Sequence, residues 1–163
     1  DPAETAALLA HVRPHTRKPL IVKLTPNATD PGAVAQAAEA AGADAVSLIN
    51  TLRGAALDPH GSGRWWLGAG TGGVSGPAVR AIALAQVADV AARVSIPIVG
   101  MGGVQSGRDA RDLLDSGASL VAVGTESFRD PLAAARIAVE LQGFSASSGV
   151  SAGDAATAGS APV

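Results

Sequence analysis

Two apolar segments of the sequence end in a glycine-containing pair, Gly-Gly or Gly-Thr, just before a helix can begin. Residues 97–103 read PIVGMGG and residues 120–125 read LVAVGT. Glycine lets a phosphate group approach main-chain N–H groups, and a following helix adds a favourable dipole. No lysine lies near either segment, which fits an anion held by backbone groups. A tight strand-to-helix turn explains a lone Gly-Gly equally well, but the second glycine-ended segment favours phosphate binding.

Polar residues also occur in two earlier apolar segments. Lys23 lies within PLIVKLT, where an unpaired buried ammonium would be costly. Its side chain therefore either reaches solvent or a carboxylate, or serves a ligand. Asn50 offers an amide donor and a carbonyl acceptor, and Thr51 offers a hydroxyl. An Asn-Thr pair is also common in ordinary turns.

The composition excludes several kinds of site. The chain has no cysteine, which rules out disulfides, thiolate metal sites and a cysteine nucleophile or base within it. His11 and His15 have helical spacing, but Pro14 intervenes and no carboxylates join them, so we expect no metal. The net charge is −2, without a basic patch for nucleic acid or anionic membranes. No apolar run approaches the roughly 18 residues of a membrane span, and we expect a cytoplasmic protein.

The elements that must position these residues alternate between strand and helix. Continuous apolar runs predict strands at residues 19–25, 45–50, 97–102 and 120–125. Helices are predicted at residues 3–12, 31–41, 77–93, 107–116 and 131–141. Asp30-Pro31 and Asp130-Pro131 each supply a cap and a first-turn proline, and Ser106 with Asp109 forms a variant capping box.

This alternation predicts an α/β fold with a parallel sheet and right-handed crossovers. Spacing alone allows either a small doubly wound sheet or half of a (β/α)8 barrel. In barrels, phosphate is frequently held by the loops after the last two strands. A doubly wound nucleotide fold would instead place its glycine-rich turn after the first strand, where this chain reads LTPNATDPG. The barrel is therefore the better prediction.

Five motifs together resemble the catalytic subunit of dihydroorotate dehydrogenase, in its class 1, type B form. They are KLTPN, SLINT, TGGVSGPA, GMGG and VGT, which begin at residues 23, 47, 71, 100 and 123. The resemblance covers residues 5–140 and implies an FMN-dependent (β/α)8 barrel, of which residues 1–142 are the C-terminal half. It implies oxidation of dihydroorotate to orotate in pyrimidine (UMP) biosynthesis. Residues 143–163 are rich in Ala, Gly and Ser and predict a disordered tail.

The resemblance also assigns roles to individual residues. Lys23 would contact the flavin ring near its N1 and O2 edge, and Ile49 would lie against the flavin. Asn50 and Thr51 would orient the substrate. The remaining FMN contacts, mostly from backbone N–H groups to phosphate and ribityl oxygens, would come from Gly76, Gly102, Gly103, Gly124 and Thr125.

What lies outside this chain also follows from the resemblance. The catalytic base would be a cysteine on an upstream loop, so this chain alone should bind FMN weakly and catalyse nothing. Hydride would pass to FMN and then to NAD through a partner subunit carrying FAD and an iron–sulfur cluster, with the complete catalytic subunit forming a homodimer. The chain begins at Asp1 and its only methionine is Met101, so we expect a piece of a longer protein.

Two alternatives stay open. The flavin domain of dihydropyrimidine dehydrogenase is related, but usually has Ala-Thr-Asn-Thr where this chain has LINT. A half-barrel without catalytic activity, kept for binding a phosphate ligand and completed by dimerisation, is the other. The loop with Trp65 and Trp66 either covers the site, meets a partner or packs at the surface.

Overall fold

Helices and strands alternate along residues 1–147, the part of the chain that the structure, a computed structural model, describes. The α-helices are α1 (Pro2–Val12), α2 (Pro31–Ala40), α3 (Arg80–Ala91), α4 (Gly107–Asp115) and α5 (Ala133–Ser147). The strands are β1 (Ile21–Lys23), β2 (Ala45–Leu48), β3 (Leu52–Gly54), β4 (Gly72–Val74), β5 (Ile98–Met101) and β6 (Leu120–Ala122). Short 3₁₀ helices lie at Arg13–His15, Pro77–Val79 and Thr125–Phe128.

Polar side chains begin the helices where the sequence places capping residues. Asp30 Oδ1 accepts a hydrogen bond of 2.9 Å from the N–H of Ala33, and Pro31 is the first residue of α2. At α4 the Ser106 hydroxyl accepts from the Asp109 N–H at 3.2 Å. The Asp109 carboxylate accepts in return from the Ser106 N–H at 3.0 Å. This reciprocal pair is the predicted capping box.

Strands β1, β2, β5 and β6 form one parallel sheet in that spatial order. The register aligns Lys23 with Ser47, and Ser47 with Val99. The strand order never reverses, as it would in a doubly wound sheet, and each helix packs against the next along the chain. Consecutive β/α units in this order are those of a (β/α)8 barrel. The α/β class and the partial barrel are therefore confirmed, and the doubly wound alternative is wrong.

The hydrophobic core lies between the sheet and the helices. Val46 and Leu48 of β2, Ile98 of β5, and Ala83 and Val87 of α3 belong to one cluster of buried side chains. Fully burying a Val, Leu or Ile side chain stabilises a fold by about 1.5–3 kcal/mol. The central strands are thus anchored by packing, which holds their carboxyl ends at one edge of the sheet.

The two edge strands leave apolar side chains in water. Ile21 on β1 is 56% exposed, and Leu120 on β6 is 63% exposed. Among residues 1–147, no further strand pairs with the outer side of either one. Exposed edges of this kind are expected when a barrel sheet is only half present. Within residues 1–147, no helix is both long and apolar enough to cross a membrane.

The predicted long loop between β2 and α3 contains an antiparallel hairpin, which the sequence analysis missed. Leu52 of β3 pairs with Val74 of β4, and Gly54 pairs with Gly72. Glycine is a poor strand former, so a Thr-Gly-Gly segment reads as a turn. The hairpin connection carries Trp65 and Trp66, which are 61% and 56% exposed.

Two helix boundaries also differ from prediction. The helix predicted at residues 77–93 is a 3₁₀ helix, Pro77–Val79, followed by α3, which ends at Ala91. Helix α5 continues to Ser147, past the predicted end at Leu141. Residues 142–147 contain no proline, and a single helical glycine costs only about 1 kcal/mol. The first residues of the predicted tail are therefore helical, whereas residues 148–163 lie outside the described residues.

Candidate functional site

A cavity of about 410 Å³ opens at the carboxyl ends of the parallel strands. Lys23 ends β1, Ile49 to Thr51 follow β2, Gly102 follows β5 and Gly124 follows β6. Parallel strands place their carboxyl ends at one edge, which is where barrel enzymes have their active sites. The structure brings every site residue singled out by the sequence to this cavity: Lys23, Ile49, Asn50, Thr51, Gly76, Gly102, Gly103, Gly124 and Thr125.

The glycines after β5 are required by the turn itself. Gly102 has φ +131°, and a Cβ there would lie 2.8 Å from the Ala83 Cβ. Gly103 has φ +73°, and its Cβ would lie 2.7 Å from the Arg80 Cβ. Side chains rarely adopt such φ values, and α3 leaves no space for them. The strand-to-helix turn thus accounts for both glycines without a ligand, although their backbones line the cavity.

Gly124, after β6, has no such explanation. Apart from its two chain neighbours, no residue in the range 1–147 has an atom within 4 Å of a Cβ placed there, yet Gly124 lines the cavity. Within residues 1–147, the backbone N–H groups of Gly103, Thr125 and Glu126 donate to no protein acceptor. Unpaired N–H groups beside an open glycine make a cradle suited to an anion such as phosphate. The residues present therefore fit the phosphate end of FMN.

Gly76 and Thr125 connect the hairpin to the cradle. Gly76 is buried with φ +80°, and its carbonyl oxygen lies 3.0 Å from the position of a Gly103 Cβ. The Thr125 hydroxyl donates a hydrogen bond of 2.9 Å to Ser75 Oγ. That proton is already used within the protein, so the N–H group is the donor that Thr125 leaves free.

The opposite part of the cavity carries polar groups and a cation. Lys23 is exposed, and it forms no ion pair with any residue in the range 1–147. Asn50 Oδ1 accepts a hydrogen bond of 2.8 Å from the N–H of Thr51. Its amide nitrogen and the Thr51 hydroxyl have no hydrogen-bond partner among the described residues. This end can therefore donate hydrogen bonds to a polar ligand and offset negative charge.

Apolar side chains form much of the remaining cavity wall. They are Ile49, Val74, Val79, Met101, Val104, Ala122 and Val123. A cavity with apolar walls and a few convergent polar groups is typical of a site for an aromatic or cyclic ligand.

Sequence reasoning missed several residues of the site. Asn27 does not itself line the cavity but supports residues beside it: its Oδ1 accepts from the Arg53 N–H at 2.8 Å, and its Nδ2 donates to the Thr51 carbonyl oxygen at 3.2 Å. It thereby ties the loop after β1 to β3, and an asparagine after Thr-Pro was a signal for such a turn. Glu126 and Arg129 also line the cavity. Charged residues outside a glycine motif carry no comparable signal in the sequence.

The tryptophan pair and the histidine pair singled out in the sequence do not line the cavity. Trp65 and Trp66 belong to the hairpin connection and do not line it. The rings of His11 and His15 lie edge to face with centroids 5.8 Å apart, at the end of α1 and in the 3₁₀ helix that follows.

Comparison with known proteins places the chain among relatives of one kind. A family model described as dihydroorotate dehydrogenase matches residues 1–144. The chain is 48% identical over 144 residues to "Dihydroorotate dehydrogenase B (NAD(+)), catalytic subunit" of Citrifermentans bemidjiense, covering 88% of this chain and 47% of the relative. The protein of the same name from Desulforudis audaxviator is 46% identical over 150 residues, covering 92% of this chain and 48% of that relative.

A solved structure has a similar fold. It is the crystal structure of DHODH from Eimeria tenella in complex with ferulenol, at a TM-score of 0.67 and 31% sequence identity. The match covers 82% of this chain and 36% of that one. This chain spans about half the length of the curated relatives it matches.

Proposed function

Because this chain belongs to the dihydroorotate dehydrogenase family, we propose that it is the part of such an enzyme that holds FMN and orients dihydroorotate. The observation that carries the proposal is the cradle at the ends of β5 and β6. Within residues 1–147, nothing but the chain neighbours of Gly124 lies within 4 Å of a Cβ position there, and the N–H groups of Thr125 and Glu126 beside it are unpaired. The complete protein would oxidise dihydroorotate to orotate in pyrimidine biosynthesis.

Binding of FMN would use both ends of the cavity. The N–H groups of Gly103, Thr125 and Glu126 would donate to phosphate oxygens, and Ile49, Gly76 and Gly102 would contact the rest of the cofactor. Such a cradle holds an anion without a lysine, because oriented backbone dipoles supply the positive potential. When bound, FMN supplies a hydride acceptor.

Lys23 would act on the flavin ring rather than on the phosphate. Its ammonium ends β1, at the cavity, and the described residues offer it no carboxylate partner. An unneutralised cation beside the ring stabilises negative charge that accumulates on reduction. This supports the assignment of Lys23 to the N1 and O2 edge.

Asn50 and Thr51 would orient the substrate. The Asn50 carbonyl oxygen accepts from the Thr51 N–H, which fixes the amide and leaves its NH₂ group to donate. The Thr51 hydroxyl is a second donor at the same strand end. Neither group exchanges protons near neutral pH, so their role is positioning rather than proton transfer.

The proton acceptor would belong to the part of the enzyme not represented in this chain. The sequence has no cysteine, and a cysteine on an upstream loop is the expected base. We therefore propose that this chain alone is inactive. As the resemblance implies, we also propose that the complete catalytic subunit forms a homodimer. The relatives' name, which calls them catalytic subunits of an NAD(+) enzyme, supports a second subunit. An electron-transfer partner would hold FAD and an iron–sulfur cluster and pass electrons to NAD, in the cytoplasm.

A complementation experiment tests this proposal. FMN would be titrated into the chain alone, and into the chain mixed with the N-terminal half of the Citrifermentans bemidjiense relative, by flavin fluorescence. We expect tight binding only in the mixture, and orotate formation there with an artificial electron acceptor. Failure of the mixture to bind FMN would overturn the proposed function. Tight binding by the chain alone would contradict the proposal that both halves are needed to hold FMN.

Lysine substitutions make the test specific. Lys23→Gln should weaken FMN retention and slow its reduction by dihydroorotate, because the cation beside the ring is lost. Lys18→Gln removes a lysine that does not line the cavity and should change neither quantity. An unchanged FMN affinity and reduction rate in Lys23→Gln would contradict its assignment.

A further inference from the structure

One arginine behind the cradle contacts both glycine-ended loops. Arg136 of α5 donates through Nη1 to the Gln105 carbonyl oxygen at 3.2 Å, in the loop after β5. Its Nε donates to Asp130 Oδ2 at 3.1 Å, and its Nη2 lies 3.8 Å from Glu126 Oε1. Both of these acids belong to the segment after β6. Arg136 itself does not line the cavity.

Glu126 is the cavity-facing end of this network. Its side chain is 12% exposed, and Oε2 accepts a hydrogen bond of 2.9 Å from Gln105 Nε2. Arg129 lies 3.6 Å from the same oxygen. An unpaired carboxylate this close to a phosphate cradle would repel the ligand. Its pairing with two guanidinium groups and an amide therefore compensates a charge that would otherwise oppose binding.

Glu140 extends the network to the start of α4. Its Oε1 accepts from Arg136 Nη1 at 2.9 Å, and its Oε2 accepts from the Gly107 N–H at 2.6 Å. The hydrogen bond from the Gly107 N–H, and to a smaller extent the one from Arg136, lowers the pKa of the Glu140 carboxyl and favours its charged form. Arg136 thus holds the loop after β5 directly at the Gln105 carbonyl oxygen, and through Glu140 at the Gly107 N–H.

We propose that Arg136 is a positioning residue that sets the separation of the two glycine-ended loops, so that their free N–H groups converge on one phosphate group. Gly103 would donate from one loop, and Thr125 and Glu126 from the other. A guanidinium suits this task because its planar fork of donors holds several acceptors in a fixed geometry. The inference rests on the proposed function and adds how the phosphate end of the site is built.

Comparing FMN with riboflavin tests the proposal, because riboflavin has the same ring and ribityl chain without the phosphate. Affinities would be measured by flavin fluorescence in the mixture with the N-terminal half. Arg136→Met should lower FMN affinity about tenfold, as expected for loss of charged hydrogen bonds. Its riboflavin affinity should change by less than about twofold. Arg136→Lys keeps the charge without the fork and should recover only part of the FMN affinity.

Arg111→Met is the matched control. Arg111 pairs with Asp115 on the surface of α4, so this variant removes the same charge without touching either loop. It should leave the FMN and riboflavin affinities unchanged. If Arg136→Met does not fold, Glu140→Gln tests the same network from a residue outside the cavity. It should show a smaller loss that is again confined to FMN.

The outcomes separate this inference from the proposed function. Equal losses of FMN and riboflavin affinity in Arg136→Met would overturn the positioning role, because a general structural defect affects both ligands. Unchanged affinity for both would overturn it too, as would full recovery in Arg136→Lys. A wild-type mixture that binds riboflavin but not FMN, or neither, would instead refute the FMN proposal, and the positioning role with it.

Discussion

At the scale of single residues, the glycines at the cavity have different causes. Gly102 and Gly103 combine positive φ with neighbours from α3 closer than any Cβ tolerates. Gly124 has neither feature: its φ is −110°, the space beside its backbone is open, and the residue lines the cavity. A glycine motif in a sequence therefore mixes residues that the fold needs with residues whose backbone stays open to the cavity.

This difference predicts that substitution by alanine affects stability at Gly102 and FMN binding at Gly124. Gly102→Ala should destabilise the chain by about 1–3 kcal/mol, because the methyl group meets Ala83 and φ is unfavourable. Gly124→Ala should barely move the urea midpoint but weaken FMN binding in the mixture with the N-terminal half. Urea unfolding and flavin titration of both variants provide the measurement. Equal stability losses would contradict the distinction drawn here.

At the scale of elements, a residue at the start of α4 stabilises the preceding loop and the neighbouring helix as well as α4 itself. The Asp109 carboxylate accepts from the N–H groups of Gln105 and Ser106 at 2.9 and 3.0 Å. Its other oxygen lies 2.7 Å from Arg80 Nη1 at the start of α3. One carboxylate thus caps α4, fixes the loop after β5 and joins two neighbouring helices.

Loss of the cap should have a measurable and limited cost. Ser106→Ala removes the hydroxyl that accepts from the Asp109 N–H. It should lower the free energy of unfolding by about 1 kcal/mol, as for other N-caps. Ser95→Ala removes an exposed hydroxyl in the connection before β5 and should stay within about 0.5 kcal/mol. Urea denaturation measures both, and equal effects would show that the capping box does not stabilise α4.

At the scale of the whole molecule, the sheet formed by residues 1–147 is open at both edges. Ile21 and Leu120 are largely exposed, and an apolar groove of about 280 Å³ lies beside β6, between it and helices α4 and α5. These features fit a chain that spans about half the length of its curated relatives. The N-terminal half would cover these exposed edges, so FMN binding is best measured in its presence.

Carboxylates distributed over the whole surface link stability to pH. For Asp44, the N–H of Leu20 and then the Arg13 guanidinium lower the pKa from 3.8. For Asp30, the N–H of Ala33 and then Arg93 lower the pKa in the same way. A pKa that is lower in the folded state stabilises the fold above the unfolded value, and the stabilisation is lost as pH falls through the folded value.

The urea midpoint should therefore change little between about pH 7 and 5 and fall steeply below about pH 4. Asp44→Asn should lower the urea midpoint at neutral pH. It should also make the decrease of the midpoint below about pH 4 smaller, because one carboxylate with a lowered pKa has been removed. Glu4→Gln replaces an exposed acid on α1 and should leave the acid branch as it is in the wild type. A midpoint that does not change down to pH 2 would contradict the role of these carboxylates.

The sequence by itself determined the order of the parallel strands, most helix starts and the family. Continuous apolar runs and local caps such as Asp30-Pro31 act over a few residues, so they can be read without a structure. The residues chosen for the site also meet at one cavity. Parallel strands bring their ends together whatever the packing elsewhere, although the roles of these residues stay predictions.

Only the tertiary structure decided how the cavity is built. The hairpin pairs Leu52 with Val74 across a connection rich in glycine, whose length no local pattern encodes. The difference between Gly102 and Gly124 depends on whether α3 fills the space beside the backbone. The contact of Arg136 with Gln105 joins residues 31 positions apart. Such contacts arise from packing between elements, and sequence patterns, which report short-range periodicity and capping, do not contain them.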